Sequence, residues 1–393
     1  MVRAGSARMR AGLRRVAGAA RALAGDAFGA AGETVLRAAA GWQCPARAPA
    51  GAPRSIFVLR SNDIGDLLAV TPLFEALRRR FPDAWIGVGT GGWNAPCLQG
   101  NPHVSEVLPL DAPWGNKVVP RQGTVRALAF ALRSPGVRAL ATRRVEVGID
   151  VLGSRWGVLL LLRAGIPCRL GVRGYAGGHS ACHATVPFDP WLHVARGALR
   201  FAELLGATDL PEPRPQLFLN RDELGRGQEL WDGRGRAGGR LRVVVGPAAG
   251  LARKAWPPDS FGTVVDALGR RGGDVLVVGA RREEELVRRV ASRSPHAVAR
   301  ADLDLRQTFA AVAAADLIIC NSSMLLHAAA AFCVPTVVML GEAFADARQH
   351  QAQWGYPGTS WSLGCEPGRR SIYQPDEAVA FLESAGLLCR HVA

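Results

Sequence analysis

Three short segments of this chain place reactive side chains directly after apolar runs. The first is Arg60-Ser-Asn-Asp-Ile-Gly-Asp66, which leaves the run Ser55 to Arg60. Gly65 permits a tight turn, and a carboxylate at Asp66 could take a proton from an attacking hydroxyl. An Asp at that point is equally a helix cap, and spacing alone leaves both readings open. The second segment is Gly246-Pro-Ala-Ala-Gly-Leu-Ala-Arg-Lys-Ala-Trp-Pro257. Gly250 allows the backbone to wrap an anion, Lys254 could neutralise a leaving phosphate, and a solvated surface Lys254 is the plain alternative. The third is Cys320-Asn-Ser-Ser-Met-Leu-Leu-His327. Ser322, Ser323 and the N–H groups that follow could hold a phosphate at a helix start. His327 falls on the second helical turn, where it either faces the same anion or packs structurally. A fourth segment, Gly279 to Glu285, opens a helix with Glu283 and Glu284. These carboxylates offset the helix dipole or contact a nucleotide's base or ribose.

Each segment sits at a strand-to-helix junction. Ser55–Arg60, Ala84–Val88, Val104–Leu110, Val145–Val151 and Cys168–Val172 read as strands, and Leu67–Phe81 reads as one helix. A second alternation starts at Arg240. There, Leu241–Val245, Asp274–Val278, Leu317–Cys320 and Thr336–Leu340 are strands. The helices of that half are Pro258–Arg270, Glu283–Ser292, Thr308–Ala314, Leu325–Phe332 and Pro375–Ala385. Buried strands alternating with helices predict parallel sheets covered on both faces. The expected fold is α/β, with two Rossmann-like domains facing across a cleft. Residues 1–53 form a basic Ala/Arg-rich extension, 54–225 the first domain, 226–239 a linker and 240–393 the second domain. In the extension, Leu13, Val16, Ala20 and Leu23 have helical spacing among arginines, which suits either an amphipathic helix on an anionic membrane or a poorly ordered tail.

The 393 residues, 48% hydrophobic, suffice for two cores, and a net charge of +15 favours anionic partners. Nearly all the basic residues are Arg. Lys117 and Lys254 are the only lysines, so a lysine here marks a place where Arg is not equivalent. The eight cysteines form no C-x-x-C pair, which points away from zinc and disulfide frameworks and toward a reducing cytoplasm. No apolar run is long enough to span a bilayer. No RNA- or DNA-reading motif accompanies the charge, so nucleic acid is not an expected partner.

Taken together and in order, the segments resemble glycosyltransferase family nine, the bacterial lipopolysaccharide heptosyltransferases with a GT-B fold. The resemblance runs from Ser55 to Gly386. It rests on Phe57 to Asp66, Thr71-Pro72, Leu77-Arg78 and Phe81-Pro82, then Ile149-Asp150 with Gly153, and His193 before Leu204-Leu205-Gly206. Later matches are Lys254-Ala-Trp-Pro257, Gly279-Ala280 with Glu283-Glu284, and His327-Ala-Ala-Ala with Val334-Pro335-Thr336. It implies Asp66 as catalytic base. Lys254, Gly250, Glu283, Glu284, Ser322, Ser323 and His327 would lie on the donor side, with Lys254 and His327 stabilising the diphosphate. Arg60, Asn62, Asp150 and His193 would lie on the acceptor side. It further implies inverting, metal-independent transfer without a cofactor, from a nucleotide-sugar such as ADP-heptose to a glycan, lipopolysaccharide core or small-molecule acceptor. Peripheral contact with the inner membrane face is compatible with the basic N-terminus. The family's Asp-Ser/Thr-Gly tripeptide is replaced here by Ser322, Ser323 and Met324. That departure motivates the alternative of a nucleotide-sugar-binding protein without transfer activity.

Overall fold

The computed structural model describes residues 31–41, 48–49, 51–120, 122–231 and 240–388. The amphipathic pattern of Leu13 to Leu23 and most of the expected linker lie outside them. Among the described residues twelve strands are formed: β1 (Ser55–Leu59), β2 (Trp85–Thr90), β3 (Glu106–Pro109), β4 (Val147–Asp150), β5 (Cys168–Arg173), β6 (Ala184–Pro187), β7 (Arg242–Gly246), β8 (Asp274–Val278), β9 (Ala297–Arg300), β10 (Leu317–Asn321), β11 (Thr336–Met339) and β12 (Ser360–Leu363). They build two six-stranded sheets in the orders β3-β2-β1-β4-β5-β6 and β12-β11-β10-β7-β8-β9. Val58 pairs with Ile149 in the first and Val245 with Ile319 in the second, both in parallel register. Parallel strands covered on both faces must be apolar throughout, and β1, β7, β8 and β10 meet that requirement. Each order reverses direction once, between β1 and β4 and between β7 and β10, as in doubly wound sheets.

By packing, the chain forms two compact units: Met1–Leu59 with Gly123–Phe188, and Arg60–Gln122 with Asp189–Ala393. In the first, residues 31–41 form a helix. Its Leu36 and Ala40 are buried with Val158, Leu162 and Ala181. Glu33 on this helix accepts N–H bonds from Gly178 and from Ser180, the latter at 3.0 Å. Part of the N-terminal extension is therefore a docked element. In the second unit, Trp256 is fully buried against Phe261, and both join Val243, Val245 and Ile319 in one apolar core.

Two expectations need correction. The single helix over Leu67–Phe81 is two helices, Ile64–Ala69 and Pro72–Arg80. Proline lacks an N–H and its ring crowds the carbonyl four residues back, that of Leu68. That carbonyl is instead taken by the Thr71 hydroxyl at 2.8 Å, and the same hydroxyl accepts Gln216 N–H at 2.7 Å. The first helix also starts earlier than expected, with Asp63 as its N-cap. Asp66 is thus its third residue and lies inside the helix, not in the loop before it. The short strands β6, β9 and β12 were not expected; each is a four-residue sheet edge with too few apolar residues to show a period. The helices Thr124–Arg133, Pro135–Thr142 and Ala347–Trp354 were likewise not expected.

Thr71 is fully buried with both hydroxyl bonds made. Thr71→Val keeps the shape and removes both, leaving the Gln216 N–H short of a partner. We expect a loss of about 1–3 kcal/mol, read as a lowered thermal midpoint; an unchanged midpoint would show that the break before Pro72 stands without them.

Candidate active site

The turn after β1 is tied down through Arg60, Asn62, Asp63 and Asp66. Arg60, buried, donates from Nε to the Asp66 carbonyl at 3.2 Å and from Nη2 to Asp66 Oδ1 at 3.3 Å. Asp66 Oδ2 accepts the Asp63 N–H at 3.3 Å. Asp66 therefore does cap its helix, yet both carboxylate bonds are long and a quarter of the side chain stays exposed (26%), although Asp66 is not among the residues lining the cavity described below. Asn62 donates to the Gly115 carbonyl at 2.8 Å, and its own carbonyl accepts Trp93 Nε1 at 2.8 Å and Asn94 Nδ2 at 3.0 Å. These bonds fix the loop that carries Lys117. Asp63 takes the Lys117 N–H at 3.0 Å and its ammonium at 2.5 Å.

In the same unit, the reversal point between β7 and β10 carries the second half of the site. Asn321 closes β10 and is fully buried. Its Oδ1 accepts Trp256 N–H at 2.8 Å and its Nδ2 donates to the Pro247 carbonyl at 2.7 Å, so it holds both ends of the loop that bears Gly250 and Lys254. Gly341 and Ala343 donate N–H bonds to the carbonyls of Lys254 and Arg253. A Cβ on Gly341 would come within 2.4 Å of the Ala255 carbonyl oxygen, so that close approach requires glycine. Lys254 Nζ lies 5.4 Å from the centre of the Phe344 ring. Its pKa is lowered, first by burial, then by the cations Lys117 and Arg253, with Asp66 and Asp63 acting in the opposite sense. Lys117 in turn packs over Gly250, where an added Cβ would meet its tip at under 3 Å. The chain's two lysines thus converge on one loop.

A cavity of about 370 Å³ opens here, within the range of small-molecule sites. Asp63, Gly65 and Lys117 line one side; Gly250, Glu283, Ser322 and Ser323 line another, beside an apolar wall of Val278, Leu303, Leu305 and Leu325. Helix Met324–Ala331 begins at Ser323, and its first N–H groups favour negative charge. The Ser323 hydroxyl is buried, and a weak contact with the Cys320 thiol aside, no polar atom of the described residues bonds it. Ser322 is bonded at 2.8 Å to Nε2 of His350, whose Nδ1 is 2.8 Å from the Ser362 hydroxyl.

Of the remaining expected residues, Glu283 caps its own turn by accepting Ala280 N–H at 2.9 Å while lining the cavity. Glu284 pairs with Arg288 one turn on and does not line it. His327 does not line it either. It is buried, with its Nδ1 2.7 Å from the Tyr356 hydroxyl and its ring edge against Gly65, behind the turn that carries Asp66. Burial holds its pKa down to about 3, assisted by His193, His350 and Arg60. A neutral, enclosed His327 supports the Gly65 turn; it is not placed as a cation facing an anion in the cavity. His193 caps helix Val194–Leu204 through Nδ1 and meets the Tyr356 ring edge-to-face at 4.9 Å, bordering a separate cavity of about 730 Å³. Asp150 belongs to the other unit, where it accepts at 2.7 Å the N–H of Ser154, the N-cap of helix Arg155–Arg163. Lys117, Asn321 and His350 went unassigned in the sequence. Lysine scarcity pointed to the first; nothing local marked the other two.

Two doubly wound parallel sheets with this cavity are the GT-B fold of a glycosyltransferase. The chain belongs to glycosyltransferase family 9 (heptosyltransferase), whose model matches residues 136–346. Lipopolysaccharide heptosyltransferase 2 of Salmonella typhimurium is 27% identical over 307 residues, spanning 74% of this chain and 84% of that protein. Lipopolysaccharide heptosyltransferase 2 of Escherichia coli is 25% identical over the same lengths. Among solved structures, the Escherichia coli ADP-heptose lipopolysaccharide heptosyltransferase II superposes with a TM-score of 0.66 at 21% identity, covering 85% of this chain and 98% of that one. A family 9 glycosyltransferase from Veillonella parvula gives 0.68 at 18% identity, covering 86% and 99%.

Two buried histidines, His327 and His350, and the half-buried His193 set an acid limit. His193 and His350 are held down to about 4 and His327 to about 3, each mainly by burial, against an ordinary value of 6.5. A depressed folded pKa contributes stability above pH 6.5 that is lost as pH falls toward 4, because the unfolded chain binds the proton first. Each such histidine adds a slope of at most about 1.4 kcal/mol per pH unit in that window. We expect the thermal midpoint to be flat above pH 7 and to fall between pH 6.5 and 4, and His350→Gln to flatten the fall; an unaltered slope in that variant would remove His350 from the set.

Proposed function

We propose that this chain catalyses inverting transfer of heptose from ADP-heptose to a hydroxyl of a glycan acceptor, the lipopolysaccharide core class. The observation that carries the reading is the convergence of Lys117 and Lys254 on the Gly250 loop, beside Asp66 and the start of helix Met324–Ala331. A diphosphate fits that arrangement: two ammonium groups, free helix N–H groups and the Ser323 hydroxyl supply its counter-charge and hydrogen bonds. The apolar wall beside it suits a nucleobase, and Glu283 stands where it can accept from a ribose hydroxyl. The names of the relatives motivate the choice of heptose and of a lipopolysaccharide acceptor.

Asp66 takes the proton of the acceptor hydroxyl. The hydroxyl oxygen then bonds to the anomeric carbon as the carbon–oxygen bond to the diphosphate breaks, and the bonding pair leaves on the diphosphate. Arg60 and the Asp63 N–H hold the carboxylate in place while leaving one edge exposed. His327 and Tyr356 brace Gly65 from behind, so the base is positioned by a packed wall. Ser322 occupies the position of the family's donor-binding Asp and, held by His350, offers one neutral hydroxyl to the sugar in place of a carboxylate.

Asp66→Asn should lower kcat by about 10²–10⁴-fold with nucleotide affinity retained; near-normal turnover of a folded variant would end the base assignment. Ser322→Ala should lower kcat/KM for the nucleotide-sugar about tenfold, or roughly 1.4 kcal/mol, without weakening ADP binding. Product mass spectrometry over a panel of nucleotide-sugars and acceptors tests the substrates. Failure of ADP-heptose alongside success of another donor overturns the heptose choice, and tight ADP binding with no turnover of any donor favours the non-catalytic alternative.

A further inference from the structure

Between Asp111 and Glu146 the sequence holds no acidic residue, although the whole chain carries 33. This stretch contains the helices Thr124–Arg133 and Pro135–Thr142, both in the first compact unit. The first helix turns Ala127 and Ala131 inward, and it packs on helix Arg155–Arg163. Its larger aliphatic side chains are left outside: Val125 is 82% exposed, Leu128 41% and Leu132 38%. Their spacing of three and four residues puts them on one stripe. Arg126 and Arg133 follow about 100° around the helix on one flank. Arg138, Arg143 and Arg144 are exposed on and just beyond the second helix.

An aliphatic stripe bordered by arginines, with no carboxylate to repel phosphate, has the composition of an interfacial helix. We propose that this face docks on an anionic lipid surface, with Val125, Leu128 and Leu132 entering below the headgroups and the arginines at phosphate level. Charge decides the occupant. A second copy of the chain would set the same arginines against each other. A nucleic acid would engage the arginines and leave the aliphatic stripe in water. Lipid satisfies both at once. No helix among the described residues is long and apolar enough to cross a membrane, so the contact lies in the plane of the interface. It is separate from the cavity and does not depend on the donor proposed above.

The test is sedimentation of the full-length chain with vesicles of phosphatidylethanolamine and phosphatidylglycerol, and with phosphatidylcholine alone. Binding to the anionic vesicles should exceed binding to the neutral ones at least tenfold and weaken with salt. Leu128→Asp combined with Leu132→Asp should reduce it at least tenfold, and Arg133→Glu combined with Arg138→Glu should do the same, both with unchanged circular dichroism. Wild-type binding by the aliphatic variant would overturn the proposal, since the charge elsewhere, including residues 1–30, would then carry the contact. Concentration-dependent dimerisation abolished by that variant, without vesicle binding, would overturn it in favour of a second copy.

Discussion

The Asn321 amide holds the site together. It is a fully buried side chain with one acceptor and one donor used, and they reach opposite ends of the same loop, at Trp256 and Pro247. A buried amide left half-bonded is costly, so the loop between those points has little freedom to drift from the end of β10. Gly250 and Lys254 ride on it, and the helix that starts at Ser323 follows directly. Position at the reversal of strand order puts Gly250, Ser322 and Ser323 on the cavity's lining, with Lys254 farther along the same loop and outside that lining. The loop's other margin is pinned by Gly341, whose lack of a side chain lets two backbones touch.

Charge at the site is arranged as an alternation. Asp63 faces Lys117, Arg60 faces Asp66, and the pKa of Lys254 is lowered first by burial and then by the neighbouring Lys117 and Arg253. A cluster with excess positive charge that is only partly exposed is costly without an anion and stabilised by one. The histidines behind it are neutral because burial makes a charged ring expensive. Their work is therefore geometric: His327 and Tyr356 support the Gly65 turn, and His350 holds Ser322. Asp66 caps its helix through one oxygen and pairs with Arg60 through the other, both at long range, so the capping role and a partly exposed carboxylate coexist.

The parts legible in the sequence were those with local physical signatures. β1, β7, β8 and β10 were visible because strands buried on both faces must be continuously apolar. Pro258–Arg270 and Pro375–Ser384 were visible because proline marks a helix start. The edge strands β6, β9 and β12 left no signal, since four residues with one face in contact need no distinctive composition. The break before Pro72 was written in the sequence, but the Thr71 hydroxyl that takes the freed carbonyl is itself held by the N–H of Gln216, 145 positions away.

The sequence by itself determined the class of fold, the order of the loops and the candidates they carry, because buried periodicity and glycine-containing junctions are local properties. Lysine scarcity even pointed at Lys117 before its place was known. Tertiary structure alone decided which candidates face the cavity. Glu283 does and Glu284 does not, because adjacent helical residues point about 100° apart. His327 stands behind the wall and not in front of it, because Tyr356 claims its ring nitrogen. Lys117 meets Gly250 across 133 residues of chain through packing that no local pattern records.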